Sequence, residues 1–145
     1  VIEPNVCVSS KRFEAIKKLR DAGIYTGILM MPLLPFINDT KDNIDKIINQ
    51  AYKSMANFIY PMFGVTLRAN QRFYYYEKLR EKFPNLVSKY QNLYGDKYVC
   101  NSPNYKSLQA YFEDKCSKLG ITYKMDDIIS EYKSRFESEQ ISFDL

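Results

Sequence analysis

The stretch Ile24-Tyr25-Thr26-Gly27-Ile28-Leu29-Met30-Met31 decides the fold class, because it is apolar without alternation and stops at Pro32. A run of this kind predicts a strand that is covered on both faces. Strands covered on both faces usually belong to parallel sheets. We therefore expect an α/β arrangement around this strand.

A helix is predicted on each side of the strand. The first runs from about Ser10 to Ala22 and is closed by Gly23. The second is capped by Asp39 or Thr40 and carries apolar residues at spacings of three and four. It leads into a second apolar run, Phe58–Gly64. Two strands joined by a helical crossover lie parallel, so the first half is predicted to be α/β.

The second half is rich in tyrosine and predicts mainly helices. The predicted elements are, in order, helix Asn70–Phe83, helix Asn85–Tyr94, loop Tyr98–Pro103, a helix from Pro103 to Gly120 and a helix from Asp126 onward. Phe73 and Tyr76 would face the core in the first of these helices. We expect three parts: βα units over 1–68, a helical extension over 69–136 and a polar tail over 137–145.

Composition excludes several classes of protein. The chain has 145 residues and no histidine, which rules out a His-based metal site, a Cys-His dyad and a Ser-His-Asp triad. Cys7, Cys100 and Cys116 form no CxxC pair, and their odd number suits a reducing cytoplasm. The longest apolar run, Ile28–Ile37, is interrupted by prolines and too short to span a bilayer, so we expect no membrane partner.

The net charge of +4 is weakly basic and does not identify a partner. Residues 1–72 carry ten Lys and Arg against six Asp and Glu, so the excess lies in the first half. Arg68 and Arg72, next to the run Phe73–Tyr76, could hold stacked bases, or these aromatic residues could pack in the core. The alternative to an enzyme is thus a non-catalytic module that binds nucleic acid or protein.

Two parallel strands cannot close a sheet. Either the second half supplies further pairing, or the chain is the C-terminal part of a larger parallel-sheet enzyme. Ligands of such enzymes bind at the carboxyl ends of the strands. Asn38 and Asp39 follow the first strand and could either recognise a ligand or cap the next helix. A third possibility is another kind of parallel-barrel enzyme, with a phosphate site at the start of that helix.

Four segments resemble one family, the radical S-adenosylmethionine (SAM) proteins of the spore photoproduct lyase and DNA repair photolyase type. They are Glu3-Pro4-Asn5, Ser10-Lys11-Arg12, Asp21-Ala22-Gly23-Ile24, and Gly27–Asp39 with its P-x-x-P-x-x-N-D pattern. The resemblance covers the C-terminal half of those proteins. It implies the last part of a partial (β/α)6 TIM-type barrel, followed here by a mostly helical extension.

The resemblance also implies cofactors. In this family, three cysteines of a CxxxCxxC loop hold a [4Fe-4S] cluster, and reductive cleavage of SAM yields a 5'-deoxyadenosyl radical. The sequence has no CxxxCxxC. The cluster is thus expected in an N-terminal half of the same barrel, and this chain alone is expected to be inactive and to bind no cofactor.

Site residues follow by position in the family. The residues expected to contact SAM are Met30, Met31, Pro32, Tyr60, Phe63 and Gly64, with Glu3 and Asn5 as polar contacts near the ribose or substrate. Those expected near the substrate are Asn38, Asp39 and Arg68. The substrate is unknown, and nucleic acid is one possibility. The expected partner is the missing half of the barrel, and an isolated chain could form a homodimer through its exposed strand edges.

Overall fold

The structure is a computed structural model that describes residues 6–137, with only the backbone of residues 136 and 137. The chain is mixed α/β. Its elements are, in order, α1 (Ser9–Asp21), β1 (Ile28–Met30), α2 (Lys41–Lys53), β2 (Ile59–Pro61), β3 (Gly64–Thr66), α3 (Ala69–Lys82), a 3-10 turn (Pro84–Leu86), α4 (Val87–Tyr94), β4 (Val99–Asn101), α5 (Tyr105–Leu119) and α6 (Met125–Glu137).

Strands β1 and β2 form the predicted parallel pair, with Ile28 opposite Ile59. Helix α2 connects them, and Thr40 caps it by accepting a hydrogen bond from the Asn43 amide at 3.2 Å. The parallel arrangement is confirmed, but each strand has only three residues. The prediction that both faces are covered is wrong, because Leu29 is 63% exposed. The helices cover only the face that carries Met30 and Ile59.

The second half adds one contact to this sheet. Thr122, in the segment after α5, forms a parallel bridge with Phe58. The Ile59 amide donates to the Thr122 carbonyl at 2.9 Å, and the Thr122 amide donates to the Asn57 carbonyl at 3.2 Å. The order across the sheet is therefore β1, β2 and the Thr122 segment.

A second small sheet was not predicted. Strand β3 pairs antiparallel with β4, with Val65 opposite Cys100, so the prediction of a loop over Tyr98–Pro103 is wrong for Val99–Asn101. Gly64 permits this close pairing, because an added Cβ would lie 2.6 Å from the Cys100 carbonyl oxygen. A strand of three residues is too short to show an alternating pattern, which explains the wrong prediction.

The buried apolar residues form two clusters. The first core contains Met30, Leu33, Ile44, Ile48, Ala51, Ala56, Ile59, Phe63, Leu108, Phe112, Cys116 and Ile121. The second core contains Val65, Leu67, Tyr75, Tyr76, Leu79, Tyr90, Tyr94 and Cys100. The first core lies between the parallel strands and helices α2 and α5. The second lies between β3, β4 and helices α3 and α4.

Helix α3 is rotated relative to the prediction. Tyr75, Tyr76 and Leu79 form its buried face, while Phe73 is 76% exposed. Phe73 precedes Tyr75 by two positions, which places it on roughly the opposite side of the helix. The prediction that Phe73 faces the core is therefore wrong.

None of the helices within residues 6–137 combines the length and the apolar character that crossing a bilayer requires.

Candidate functional site

The loop over residues 31–39 leaves the carboxyl end of β1 and is tied to the chain after β2. The Met62 amide donates to the Met30 carbonyl, and the Leu33 amide donates to the Met62 carbonyl, each at 3.1 Å. Leu33 and Pro35 are fully buried. These bonds fix the start of the loop at the carboxyl ends of the strands, where parallel folds bind ligands.

Tyrosines of the second core hold the middle of the loop. The Tyr90 hydroxyl donates to the Pro35 carbonyl at 2.6 Å and accepts from the Tyr75 hydroxyl at 2.9 Å. Burial raises the pKa of both tyrosines, that of Tyr75 to about 12. Next to Pro35, Phe36 has a φ of 62°, and its ring packs edge-on against Tyr90 and under the Lys89 ammonium at 4.1 Å. The tyrosine hydroxyls stay protonated and act as structural donors.

Asn38 and Asp39 are both engaged within the fold. Asn38 Oδ1 accepts from the Leu34 amide at 2.5 Å, and the Asn38 carbonyl accepts from Asn43 Nδ2 at 2.9 Å. Asp39 Oδ2 accepts from the buried Ser102 hydroxyl at 2.5 Å, which joins the loop to the chain after β4. Neither residue caps α2. Both stabilise the end of the loop.

Two clefts meet at this loop. The edge groove, about 790 Å³, lies between α1, β1 and α2 and is lined in part by Lys11, Leu29 and Lys46. The strand-end cleft, about 660 Å³, lies between the loop and the β3–α3 region. Both clefts are lined by Arg12, Met31, Pro32 and Asn38. Among the described residues, the lining of neither cleft includes an Asp or a Glu.

The structure brings together only part of the predicted site. Met31, Pro32 and Asn38 line both clefts, and Met30 lines the edge groove from its buried position. Asp39 follows Asn38 in the chain but lines neither cleft, and it accepts the hydrogen bond from Ser102.

Four other predicted residues lie away from the two clefts. Phe63 is part of the first core, and Gly64 lies against β4. Tyr60 pairs with Leu29 in the sheet. Arg68 bonds the Tyr98 hydroxyl, which lowers the pKa of Tyr98. Glu3 and Asn5 are outside the described residues.

Sequence reasoning missed several residues that line the strand-end cleft. They are Arg12, Val65, Thr66, Gln71 and Tyr74. Arg12 was visible as part of the Ser-Lys-Arg helix start, but a basic helix is usually only a solvent-facing surface. Val65 and Thr66 lie in the stretch after the second strand, where parallel folds bind ligands, but were not named as site residues. Gln71 and Tyr74 come from α3, and no local pattern indicates that this helix returns to the end of β1.

The described residues do not fit an iron–sulfur cluster. No three Cys, His, Asp or Glu side chains within residues 6–137 group together in a way that could hold a metal ion. Cys7 is exposed, whereas Cys100 and Cys116 are buried in different cores. Burial raises the pKa of Cys116 to about 12, which disfavours the thiolate that binds metals.

Comparisons with known proteins give distant relatives. No known family model matches the chain, and no solved structure matches it. Uncharacterized proteins from two strains of Mycobacterium tuberculosis and from Mycobacterium bovis are each 28% identical to it over 93 residues. The match covers 64% of this chain and 27% of each relative, so the chain spans well under two thirds of their length.

Proposed function

We propose that this chain is the C-terminal part of a radical SAM enzyme with a partial (β/α)6 barrel, and that SAM binds at the strand-end cleft. One observation carries the proposal: β1, which pairs in parallel with β2, leads at its carboxyl end directly into a cleft lined by Met31, Pro32 and Asn38. These residues belong to segment Gly27–Asp39, whose P-x-x-P-x-x-N-D pattern contributes to the family resemblance. The substrate stays unassigned.

The incomplete sheet supports a larger barrel. Leu29 and Tyr60 are opposite each other on the face that the helices leave uncovered. In a closed barrel this face would line the interior. β1 also has one edge that no described strand pairs. A preceding strand from an N-terminal half would cover that edge, and the relatives are long enough to contain such a half.

The residues of the strand-end cleft fit the adenosine side of SAM. Met31, Pro32 and Val65 provide apolar surface for the adenine ring, while Gln71 and Thr66 provide polar groups for its edge or for the ribose. Bound SAM would supply the 5'-deoxyadenosyl radical. The cluster that cleaves SAM would belong to the N-terminal half, in a cytoplasmic protein. The role of this chain is to bind and orient the nucleoside and to exclude water around it.

Binding of SAM to the longer protein tests this assignment. We expect Met31→Glu to weaken SAM binding at least about tenfold in equilibrium dialysis, because it places a carboxylate against the bound nucleoside. Met125→Glu is the matched control, since Met125 is 42% exposed and Met31 38% exposed, yet Met125 lies in α6, away from the cleft. Equal affinity in the two variants would contradict the proposal.

A second candidate function, binding of single-stranded nucleic acid, is favoured by the exposure of Phe73. Its ring lies on the outer side of α3, beside a cleft of about 440 Å³ that Arg72 and Arg80 also line. An exposed aromatic ring beside cations can stack a base. If this module binds nucleic acid, titration with a labelled oligonucleotide will show steep salt dependence, and Phe73→Ala will weaken binding. Glu77 and Asp96 also line this cleft and oppose the binding of phosphate.

A further inference from the structure

The cleft beside Phe73 lies between helices α3 and α4, and we call it the helix cleft. Phe73 and Glu77 line it from α3, whereas Gln91 lines it from α4. Its volume of about 440 Å³ falls near the small end of the range of ligand pockets, about 300–1,000 Å³. A cleft of this size suits one small ring system.

Arg72 fixes the distance between the two sides of the helix cleft. Its Nη1 donates to Asp96 Oδ1 at 2.9 Å, and its Nη2 donates to the carbonyls of Asp96 and Lys97 at 2.5 and 3.2 Å. Arg72 belongs to α3, whereas Asp96 and Lys97 follow the end of α4. These bonds join the two helices beside the cleft, so the cleft is formed before a ligand binds.

Two buried polar atoms of the cleft lining have no hydrogen-bond partner among the described residues. They are Arg72 Nε and the Tyr76 hydroxyl, and both residues line the helix cleft. Few buried polar groups in folded proteins lack a partner. Their unused hydrogen-bonding capacity therefore favours a ligand that brings polar atoms to this part of the cleft.

The Phe73 ring provides a surface for stacking. It is 76% exposed, more than any other large apolar side chain that the structure describes. Stacking of a base needs only an aromatic face, so it accepts every base. The choice among bases must therefore come from the polar groups of the cleft.

The charges of the lining favour a neutral ring with an amino group. Arg72 and Arg80 are balanced by Glu77 and Asp96, so the helix cleft has no excess of positive charge for a phosphate. The two carboxylates accept hydrogen bonds from an amino group and repel a carbonyl oxygen. Adenine carries an amino group next to ring nitrogens and, unlike the other common bases, has no carbonyl oxygen. A glutamine amide such as that of Gln91 can bond N6 and N7 of adenine together.

We propose that the helix cleft binds an unpaired adenine base, which stacks on Phe73 and is selected by Gln91. Gln91 is thus a specificity-determining residue. For a base within a single strand, the proposal rests on the second candidate function and names the base that this function reads. A free adenine nucleoside presents the same chemistry, and the experiment separates the two sources. The strand-end cleft and its proposed SAM site are not involved.

Titration of the full chain with fluorescently labelled oligo-dA and oligo-dT at one salt concentration tests the choice of base. We expect oligo-dA to bind at least about fivefold more tightly, and Gln91→Leu to remove this preference. Asn92→Leu is the matched control and should preserve the preference, because Asn92 is the exposed neighbour of Gln91 in α4 and does not line the cleft. Phe73→Ala should weaken the binding of both strands at least about fivefold.

Titration with adenosine, followed by NMR, identifies the source of the base. Adenosine binding that Phe73→Ala weakens several-fold supports a free nucleoside as the ligand, whereas binding of oligo-dA alone supports a single strand. Equal affinity for oligo-dA and oligo-dT overturns the proposal but leaves the second candidate function in place. A preference for oligo-dA that survives Gln91→Leu also overturns it. A chain that binds no oligonucleotide overturns that function, and if adenosine binding also fails or ignores Phe73→Ala, the proposal falls with it.

Discussion

The two cores hold the same loop by different means. The first core is mainly aliphatic and positions the ends of β1 and β2 through burial against α2 and α5. Half of the buried residues of the second core are tyrosines, and its hydrogen-bonded Tyr75–Tyr90 pair holds the loop through the Pro35 carbonyl. Burial tolerates small shifts, whereas a hydrogen bond to one carbonyl fixes a position. The contrast suggests that the first core sets the stability of the strands and the second sets the shape of the cleft.

The largest expected effect comes from opening the first core. Phe112 is fully buried and packs edge-on against Phe63. We expect Phe112→Ala to lower the free energy of unfolding by about 3–5 kcal/mol, since it removes apolar contacts and leaves a cavity. Urea denaturation followed by circular dichroism measures the loss. A change in the free energy of unfolding below about 1 kcal/mol would mean that helices α2 and α5 do not share this core.

A smaller effect is expected from removing the hydroxyl of Tyr90 in the second core. Tyr90→Phe keeps the ring but leaves the buried Pro35 carbonyl and the Tyr75 hydroxyl without this partner. We expect a loss of about 1–3 kcal/mol in urea denaturation. Changes in NMR shifts should concentrate in residues 33–39. Tyr52→Phe, at a 56% exposed site, is the control and should change neither quantity.

High pH should destabilise both cores, and the loss should begin at a different pH in each. Burial raises the pKa of Cys116 from 9.0 to about 12 in the first core and that of Tyr75 from 10.0 to about 12 in the second. The unfolded chain loses these protons first. The stabilisation is therefore complete below pH 9 and is lost progressively up to about pH 12.

Urea midpoints at pH 8, 10 and 11 separate the two contributions. We expect Cys116→Val to remove the part of the loss that begins near pH 9, and Tyr75→Phe to remove part of the loss that begins near pH 10. Midpoints that stay constant up to pH 11 would show that these groups ionise equally in the folded and unfolded chains.

The smallest effect is expected at the surface of α2. Asp42 and Lys46 form an ion pair of 2.6 Å, but their side chains are 75% and 72% exposed. We expect Asp42→Asn to change the free energy of unfolding by less than about 0.5 kcal/mol, since water and salt screen such a pair. A loss above about 1 kcal/mol in 0.15 M salt would show that α2 depends on this pair more than on its buried face.

The elements around the first core could be predicted from the sequence better than those around the second. Helix α2 shows both its cap at Thr40 and its apolar spacing, so its start was predicted closely. The parallel pair was visible as two apolar runs. The β3–β4 pair was not, because strands of three residues carry no period and their partners are 35 residues apart. The orientation of Phe73 was missed because several aromatic residues in a row allow more than one buried face.

The candidate site could be predicted only where one segment carries it. Met31, Pro32 and Asn38 lie in the loop that follows β1. The rule that ligands bind at strand ends indicates this loop, and the family resemblance is what names Met31 and Pro32 within it. Gln71 and Tyr74 reach the same cleft from α3, through a long-range arrangement that no local spacing encodes. Asp39 was predicted as a ligand contact or cap, whereas its bond to Ser102 shows a role in joining distant segments.

The central claim is that the strand-end cleft belongs to a SAM-dependent barrel, and one measurement tests it most directly. The reading frame upstream of Val1 is expressed with this chain, reconstituted anaerobically with iron and sulfide, and incubated with SAM and dithionite. We predict a CxxxCxxC in the upstream sequence and formation of 5'-deoxyadenosine, reduced at least about tenfold by Met31→Glu and unchanged by Met125→Glu. An upstream sequence without this motif, or a reconstituted protein that forms no 5'-deoxyadenosine, would contradict the account.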